Sequence, residues 1–332
     1  MLAEVVKLRM KQFSFLTIAL YIAVLGGGAG AIHAQDYPTK PVRFVGLVPG
    51  GSNDVVARIV AQRLSESWAQ NVIVDNRPGA GGTIAANLVA KAQPDGYTLF
   101  VGGFGANVMA SSLYSKLPYD PANDFAHVTL MVTFPLVVAV PASSPVAGLK
   151  ELIEQAKSRP GVLKYGSVGV GSSTHVFLEL MNQRAGISTV HVPYKGGPPA
   201  VMGLLMAEVD YAIVSVSSAL AQLATGKIRA LGVTSANATP RLPNVLPISS
   251  VLPGYEGLEF HGLHAPAKTP RHIITKLQQE VAQVLGRPEV KERLDGLAMD
   301  VFASTPEEFT AFIRKQIDTW TPVARAANMR AD

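Results

Sequence analysis

Apolar and polar positions along the chain follow two alternating patterns. Short β-branched runs predict strands at residues 42–48, 71–75 and 97–102, whereas apolar residues at helical spacing predict helices at 54–68 and 83–92. Short loops join these segments. Repeated βα units of this kind predict an α/β fold with a mostly parallel sheet that helices cover on both faces.

A second alternating series begins near Pro135. After Pro240 the sequence becomes proline-rich and irregular, until two helices at 271–285 and 305–327 end the chain. Pro306, followed by two glutamates, is favoured chemistry for the start of the last helix. The second series is predicted to contain strands at 136–140, 163–168, 190–193, 211–216 and 229–234, with helices at 149–156, 176–185, 200–207 and 219–224.

The first 34 residues have the pattern of a secretory signal peptide. Lys7, Arg9 and Lys11 precede an apolar run at residues 13–25, and small residues lead to a cleavage site after Ala34. The next residues, QDYPTKP, are polar and contain proline, which favours cleavage over a retained membrane helix. The mature chain is therefore expected in the periplasm.

The composition indicates a sizeable buried core. Of 332 residues, 48% are hydrophobic and 16% are charged, enough for one large or two ordinary domains. The net charge of +5 falls to about +3 without the leader, and no basic stripe is present, so nucleic acid is not an expected partner. The chain has no cysteine, which excludes disulfides, thiolate metal sites and a cysteine nucleophile.

Three loops that follow predicted strands combine glycine with small polar residues. They read GGSND, GGFGAN and SVGVGSSTH and begin at Gly50, Gly102 and Ser167. Glycine allows backbone N–H groups to approach a ligand, and a helix N-terminus offers unpaired donors to an anion. For any one loop, an ordinary turn with a helix N-cap is the alternative. Loops of this kind from two halves could face each other across a cleft, because open α/β sheets bind ligands at the carboxyl ends of their strands.

The sequence does not match the common enzyme motifs. Lys227 is followed by Ile228 rather than the Ser or Thr of a phosphate-binding loop, and the paired glycines lack the third residue of a dinucleotide fingerprint. Tyr165 stands where a nucleophile elbow around Ser167 requires glycine. No catalytic residue and no cofactor are predicted.

The histidines and one lysine leave alternatives open. His261 and His264 have no carboxylate at ligand-like spacing, so surface or hinge histidines are favoured over a metal site. His175 is equally consistent with a buried, hydrogen-bonded residue and with a ligand contact. Lys195 is favoured as a solvated loop residue over a counter-charge for a ligand.

Segments spread over nearly all of the mature chain resemble those of one receptor family. In order they read YPTKPVRF, VPGGSNDVVARIVAQRL, VIVDNRPGAGG, AKAQPDGYTLFVG, KLPYD, YGSVGVGSSTH, VHVPYKGG, IRALGVTS, LPGYE and STPEEFTAFI. Each segment alone is weak, but the ordered set is specific. The chain is similar to the extracytoplasmic solute receptors of the tripartite tricarboxylate transporter group, often called Bug proteins.

This resemblance implies a type II periplasmic-binding-protein fold. Two α/β lobes, joined by two crossover segments, would enclose a ligand cleft. After the signal peptide at residues 1–34, lobe 1 is expected at 35–134 and 234–332, and lobe 2 at 135–233.

The resemblance also implies that loops from both lobes bind a carboxylate through backbone N–H groups and hydroxyls, without a catalytic residue, a cofactor or a metal. The implied ligand-binding residues are Gly51, Ser52, Asn53 and Asp54 in the first loop, Gly103, Phe104 and Gly105 in the second, and Ser167, Ser172, Ser173, Thr174 and His175 in the third.

The chain departs from the family pattern near these loops. The segment before Pro49 is one residue shorter, with Leu47 where an aromatic residue is usual, and Asn53 stands where threonine is usual. The segment HGLHAP replaces a sequence like FGLLAP. These differences weaken the expectation of the family's usual small dicarboxylates and allow an aromatic or longer acid.

The predicted function is a periplasmic solute-binding protein, a monomer and not an enzyme. It would capture a small organic carboxylate and present it to a tripartite tricarboxylate transporter membrane component or to a sensor. The alternative is a cell-envelope hydrolase or isomerase that uses His175 with Ser172 or Ser173. A membrane-anchored scaffold is a third reading, which requires that the leader is retained.

Overall fold

The computed structural model describes residues 37–326 and 329–331. The predicted signal peptide and its cleavage site lie outside the described residues. The elements given below belong to the unit Lys40–Asp332. No helix in the described part is long and apolar enough to cross a membrane.

Strands and helices alternate along the described residues. The strands are β1 Val42–Gly46, β2 Val72–Asn76, β3 Thr98–Gly103, β4 Phe125–Pro141, β5 Lys164–Ser167, β6 Val190–Pro193, β7 Tyr211–Ser215, β8 Ile228–Val233, β9 Leu258–Pro266 and β10 Asp300–Val301. The helices are α1 Ser52–Trp68, α2 Thr83–Ala90, α3 Ala110–Leu113, α4 Leu149–Ser158, α5 Ser173–Ala185, α6 Gly197–Leu205, α7 Val216–Ala224, α8 Arg271–Gly286, α9 Pro288–Asp295 and α10 Pro306–Ala326.

The sheet is mixed rather than mostly parallel. Its strand order is β2-β1-β3-β9-β4-β7-β5-β6, and β8 and β10 both pair with β4. The predicted βα units form the parallel pairs β1–β2, β1–β3, β5–β6 and β5–β7. The strands β4 and β9 run antiparallel to their neighbours, which the prediction of a mostly parallel sheet did not include. The α/β class is confirmed, and the strand directions are corrected.

The long strand β4 links the two parts of the sheet. Residues Phe125 to Pro135 pair with β9, and from Leu136 onward β4 pairs with β7 and β8 instead. Every residue of β4 except Ala126 is buried, because helices or other strands cover both of its faces. A strand buried on both faces reads as a continuous apolar run, and β4 does so.

Strand β9 lies in the region that was predicted to be irregular. It carries Glu259, His261 and His264, polar residues that are unusual in a buried strand, and all three are buried. Its position between β3 and β4 places it in the centre of the sheet. The prediction failed because the polar residues and the nearby prolines obscured the strand pattern.

The last helix, α10, begins with a capping box. The Thr305 amide donates to Glu308 Oε2 at 2.9 Å, and the Glu308 amide donates to Thr305 Oγ1 at 3.2 Å. Further along, Trp320 packs against Phe104 and Phe177, with ring centroids 5.3 and 4.7 Å apart. Helix α10 therefore supports the loop after β3 from behind.

Candidate functional site

The glycine loops surround one cavity of about 810 Å³. Its wall is formed by the ends of β1, β2, β3, β5, β6 and β7 with the loops that follow them, and by side chains of β4 and β9. This is the edge of an α/β sheet at which ligands bind.

Helices α1, α5, α6 and α7 begin at the cavity wall. Helices α1, α5 and α6 start at the lining residues Ser52, Ser173 and Gly197, and the N-cap of α7 is the lining residue Ser215. The first-turn N–H groups of a helix have no partner within the helix, and they carry a partial positive charge. The wall is therefore suited to an anion.

Asn53 joins the ends of two strands at the cavity. Its amide nitrogen donates to the Val101 carbonyl oxygen at 2.8 Å, and its Oδ1 accepts from the Leu47 amide at 3.1 Å. Both partners are backbone groups: Leu47 directly follows β1, and Val101 lies in β3. The Asn53 side chain thus fixes the shape of the first loop while it lines the cavity.

Asp54 lies behind the first loop and does not line the cavity. Its carboxylate accepts from the Gly50 amide at 2.9 Å, from the Asn76 amide at 2.6 Å and from Arg58 at 2.9 Å. Burial acts to raise the pKa of Asp54, but the hydrogen bonds from Arg58, Asn76 and Gly50 hold that pKa below its ordinary value. Asp54 therefore stabilises the loop as an anion.

Hydroxyl groups of the third loop make hydrogen bonds within the loop. Ser172 Oγ accepts from the His175 amide at 3.3 Å, as the N-cap of α5, and donates to the Gly169 carbonyl oxygen at 2.6 Å. Thr174 Oγ1 accepts from the Val168 amide at 2.9 Å. These bonds hold the loop against the start of the helix.

Ser167 and His175 lie behind the third loop. Ser167 Oγ is 2.7 Å from His191 Nε2, and His175 Nδ1 accepts from the Gly171 amide at 3.3 Å. The rings of His175 and His191 stack with their centroids 4.1 Å apart. Like Asp54, these two residues are outside the cavity lining, whereas the other nine predicted residues line it.

Glu259 lines the cavity, and sequence reasoning missed it. Its Oε1 accepts from the Phe104 amide at 3.1 Å and from the Phe260 amide at 2.9 Å, and its Oε2 accepts from the Ser173 hydroxyl. Burial raises the pKa of the Glu259 carboxyl, and the bonds from Ser173, Phe260 and Phe104 oppose that rise. The carboxyl links loops that are distant in the sequence.

His261 was also missed as a cavity residue. It lies two residues after Glu259, and side chains at this spacing share one face of a strand. Its Nε2 is 2.9 Å from Ser52 Oγ, while its Nδ1, beside Gly103, makes no hydrogen bond of normal geometry in the described part of the chain, although the Gly102 and Phe260 backbone groups lie near the ring. Burial lowers the pKa of His261 to about 3, so the ring is neutral at neutral pH.

Some other lining residues that were not predicted have recognisable patterns in the sequence. The segment Pro78 to Gly82 follows β2 and has the same glycine pattern as the three predicted loops. Ser215 accepts from the Ser218 amide at 3.3 Å, the N-cap arrangement that its sequence favours. Lys195 also lies on the wall and is exposed, which is consistent both with a solvated loop residue and with a counter-charge for a ligand.

The expectation of surface or hinge histidines at 261 and 264 was wrong. Both are buried in β9, and their odd spacing places them on opposite faces of the strand. His264 Nδ1 is 2.8 Å from Nδ1 of His127 on β4. Among the residues that the structure describes, no group of three or more His, Cys, Asp and Glu side chains could hold a metal ion.

The buried histidines predict a loss of stability in acid. Burial lowers the pKa of His127 to about 4 and the pKa values of His175 and His261 to about 3, against about 6.5 in an unfolded chain. Below pH 6.5 the unfolded state binds protons that the native state does not. The free energy of unfolding should therefore fall as the pH drops from 7 to 5, by roughly 1.4 kcal/mol per pH unit for each such histidine below pH 6.

Urea unfolding at pH 7 and pH 5 measures this effect. His175→Gln should make the pH dependence smaller by one histidine's share, because it removes a ring that only the unfolded chain protonates in this pH range. Equal pH dependence in the parent chain and in His175→Gln would contradict the assignment of His175 as a neutral buried ring.

Comparison with known proteins identifies the class of the molecule. The family described as "Tripartite tricarboxylate transporter family receptor" matches residues 56–329, most of the chain. A protein from the tcbD-tcbE intergenic region of Pseudomonas sp. (strain P51) is 38% identical over 302 residues, which cover 90% of each chain. The chain belongs to the tripartite tricarboxylate transporter receptor family.

Solved structures show the same fold. A protein from R. palustris, Rpa4515 with adipate, has a TM-score of 0.86 at 34% identity and covers 89% of this chain and 99% of its own. The periplasmic binding protein BugD has a TM-score of 0.84 at 31% identity, with 89% and 99% covered. MatC from Rhodopseudomonas palustris with bound malate has a TM-score of 0.82 at 31% identity, with 86% and 99% covered.

These relationships confirm three predictions. The resemblance to the Bug receptors was correct, the fold is that of the periplasmic binding proteins, and the chain is a solute-binding receptor rather than an enzyme. The serine hydroxyls that the enzyme alternative would pair with His175 have other hydrogen-bond partners. Ser172 bonds to Gly169 and Thr174, and Ser173 bonds to Glu259.

Proposed function

We propose that this receptor captures a small organic carboxylate in the 810 Å³ cavity. The convergence of the N-termini of α1, α5, α6 and α7 on one cavity is the observation that carries the proposal. Backbone N–H groups and hydroxyls there would bind an anion, and each helix terminus contributes roughly 0.3–1 kcal/mol, or about 2 kcal/mol when partly buried. Rpa4515 with adipate and MatC with malate support a carboxylate as the ligand class.

The proposed contacts come from both sides of the cavity. Gly51, Ser52 and Asn53 lie on one side, and the loop containing Ser172 and Thr174 lies on the other. The second loop, with Gly103, Phe104 and Gly105, completes the wall together with Ser173. Asp54, Ser167 and His175 would act indirectly, because they hold the loops from behind.

The change of partner along β4 supports a division into two lobes. Residues 35–134 and 234–332 would form one lobe and 135–233 the other, with β4 as one of the crossovers. Closure of the lobes would exclude water and strengthen each polar contact with the ligand. A membrane component of a tripartite tricarboxylate transporter or a sensor would then bind the closed, monomeric receptor in the periplasm, after cleavage of the signal peptide near Ala34.

A thermal-shift screen of the mature chain against organic acids tests the ligand class. An acid present at a hundred times its Kd should raise the free energy of unfolding by about 2.7 kcal/mol, a shift of about 5 °C for a chain of this size. Ser52→Ala should reduce the shift, and Ser67→Ala, at the exposed end of the same helix, should not. A ligand-free protein that responds to no acid in a broad panel would refute the proposal.

A further inference from the structure

The cavity already contains one carboxyl group of the protein itself. Glu259 is held by the Phe104 amide and the Ser173 hydroxyl, which belong to two different glycine loops. Ser173 is the first residue of α5, so the Glu259 carboxyl lies at a helix N-terminus, a position that favours an anion. Two donors that would otherwise be available to a ligand are therefore occupied.

The charged side chains of the described lining are only Glu259 and Lys195. Lys195 is exposed and precedes the start of α6 by two residues, whereas Glu259 is buried at the start of β9. Gly197, at the start of α6, is close to Ser218 of α7, so two helix N-termini are adjacent in this part of the wall. A carboxylate would be bound near Lys195, where the first loop also lies beside the start of α6 (a Cβ on Gly50 would be 3.7 Å from Pro198), rather than beside Glu259.

A second carboxylate on the ligand would meet the Glu259 carboxyl. If Glu259 is ionised, the two anions repel each other in a site of low dielectric. If Glu259 is protonated, its oxygens still occupy the Phe104 and Ser173 donors, and its single O–H could replace only one of the hydrogen bonds that a carboxylate makes with water. In either state the ligand carboxylate would lose the hydrogen bonds that offset its removal from water.

His261 provides a partner for an uncharged group at this place. Its Nδ1 is buried and makes no hydrogen bond of normal geometry within the described residues, although the Gly102 and Phe260 backbone groups lie near the ring and the residue lines the cavity. A buried nitrogen without a partner is costly, and a ligand hydroxyl can donate to it or accept from it, depending on the ring tautomer. Leu47, Val48 and Phe134 supply an apolar wall for the body of the ligand.

We propose that Glu259 makes this receptor selective for monocarboxylates that carry an uncharged hydroxyl or phenol group, and selects against dicarboxylates. This inference rests on the proposed capture of a carboxylate in the same cavity. The proposed ligand class differs from adipate and malate, the ligands of the two relatives, which both have two carboxylates. The Glu259 carboxyl group takes the position of a second ligand carboxylate.

Titration calorimetry with matched acids tests the proposal. The pairs are 6-hydroxyhexanoate with adipate, and 4-hydroxybenzoate with terephthalate, together with hydroxy acids and diacids of other lengths. The parent chain should bind the hydroxy acid of a pair roughly tenfold to a hundredfold more tightly than the diacid, because a buried group without its partner costs this much. Glu259→Ala should open the second position and reduce or reverse this preference.

Three further variants separate selectivity from folding. Glu259→Gln keeps the shape of the side chain and removes the charge. It should reduce the preference for the hydroxy acid over the diacid, and it provides the test if Glu259→Ala does not fold. Glu256→Ala, three residues away and exposed, should bind like the parent chain. His261→Phe should weaken the binding of 6-hydroxyhexanoate several-fold more than it weakens the binding of hexanoate, the acid of the same length without the hydroxyl.

The outcomes distinguish the two proposals. A parent chain that binds diacids as tightly as hydroxy acids, or a preference unchanged in both Glu259 variants, would overturn the selectivity inference and leave carboxylate capture intact. A parent chain that binds no acid at all would overturn carboxylate capture, and the inference would fall with it.

Discussion

Gly105→Ala is expected to lower the affinity for the carboxylate ligand at least tenfold. A Cβ atom at this position would lie 2.5 Å from the Gly81 carbonyl oxygen and 3.2 Å from the Gly171 carbonyl oxygen. Both are backbone atoms, so neither can move aside by a change of side-chain rotamer. The glycines belong to the loops after β3, β2 and β5, and the added methyl group would push these loops apart at the cavity wall.

Affinity is the sensitive measurement, because these loops position the helix N-termini that are proposed to bind the ligand. A displacement of a few tenths of an ångström lengthens several hydrogen bonds at once, and a loss of about 1.4 kcal/mol is already tenfold. Gly286→Ala is the matched control, since a Cβ at that position meets nothing within 4 Å. Calorimetric affinities of Gly105→Ala and the parent chain that agree within twofold would show that the loops tolerate the methyl group.

Phe309→Ala is expected to reduce the free energy of unfolding by about 3–5 kcal/mol. The side chain is fully buried where α10 packs on the sheet, with ring centroids 4.9 Å from His264 and 5.5 Å from His127. Gly262 of β9 has no side chain at the point where the Phe309 ring lies, so the ring fills that space. Truncation would leave a cavity beside these two buried histidines.

This loss is a large fraction of the 5–15 kcal/mol that stabilises a typical domain. Urea unfolding followed by circular dichroism measures it. Phe302→Ala removes the same ring at a position with 57% exposure and should change the stability by no more than about 0.5 kcal/mol. A change below about 1 kcal/mol in Phe309→Ala would mean that α10 and the sheet can close the space.

The local βα units could be predicted because their signals are contained in short segments. The run at β1, the glycines after it and the amphipathic helix α1 follow one another within about 30 residues. The capping box of Thr305 and Glu308 is equally local, and so is the N-cap at Ser172. In each case the interacting groups are close in the sequence.

Strand β9 and its side chains could not be predicted in this way. Glu259 is bonded to groups 155 and 86 residues away, at Phe104 and Ser173. His261 meets Ser52 across 209 residues. A glutamate and two histidines in a short segment between prolines are typical of an exposed loop, and only partners from distant loops make their burial possible.

The sequence by itself determined the α/β class, the receptor family and the glycine loops that bear helix N-termini, since these depend on local periodicity and on ordered motifs. The tertiary structure decided which residues share the cavity. It placed nine of the predicted residues on the wall and moved Asp54, Ser167 and His175 behind it. It also brought Glu259 to two of the loop donors, because the pairing of β9 between β3 and β4 is a long-range contact that no local pattern specifies.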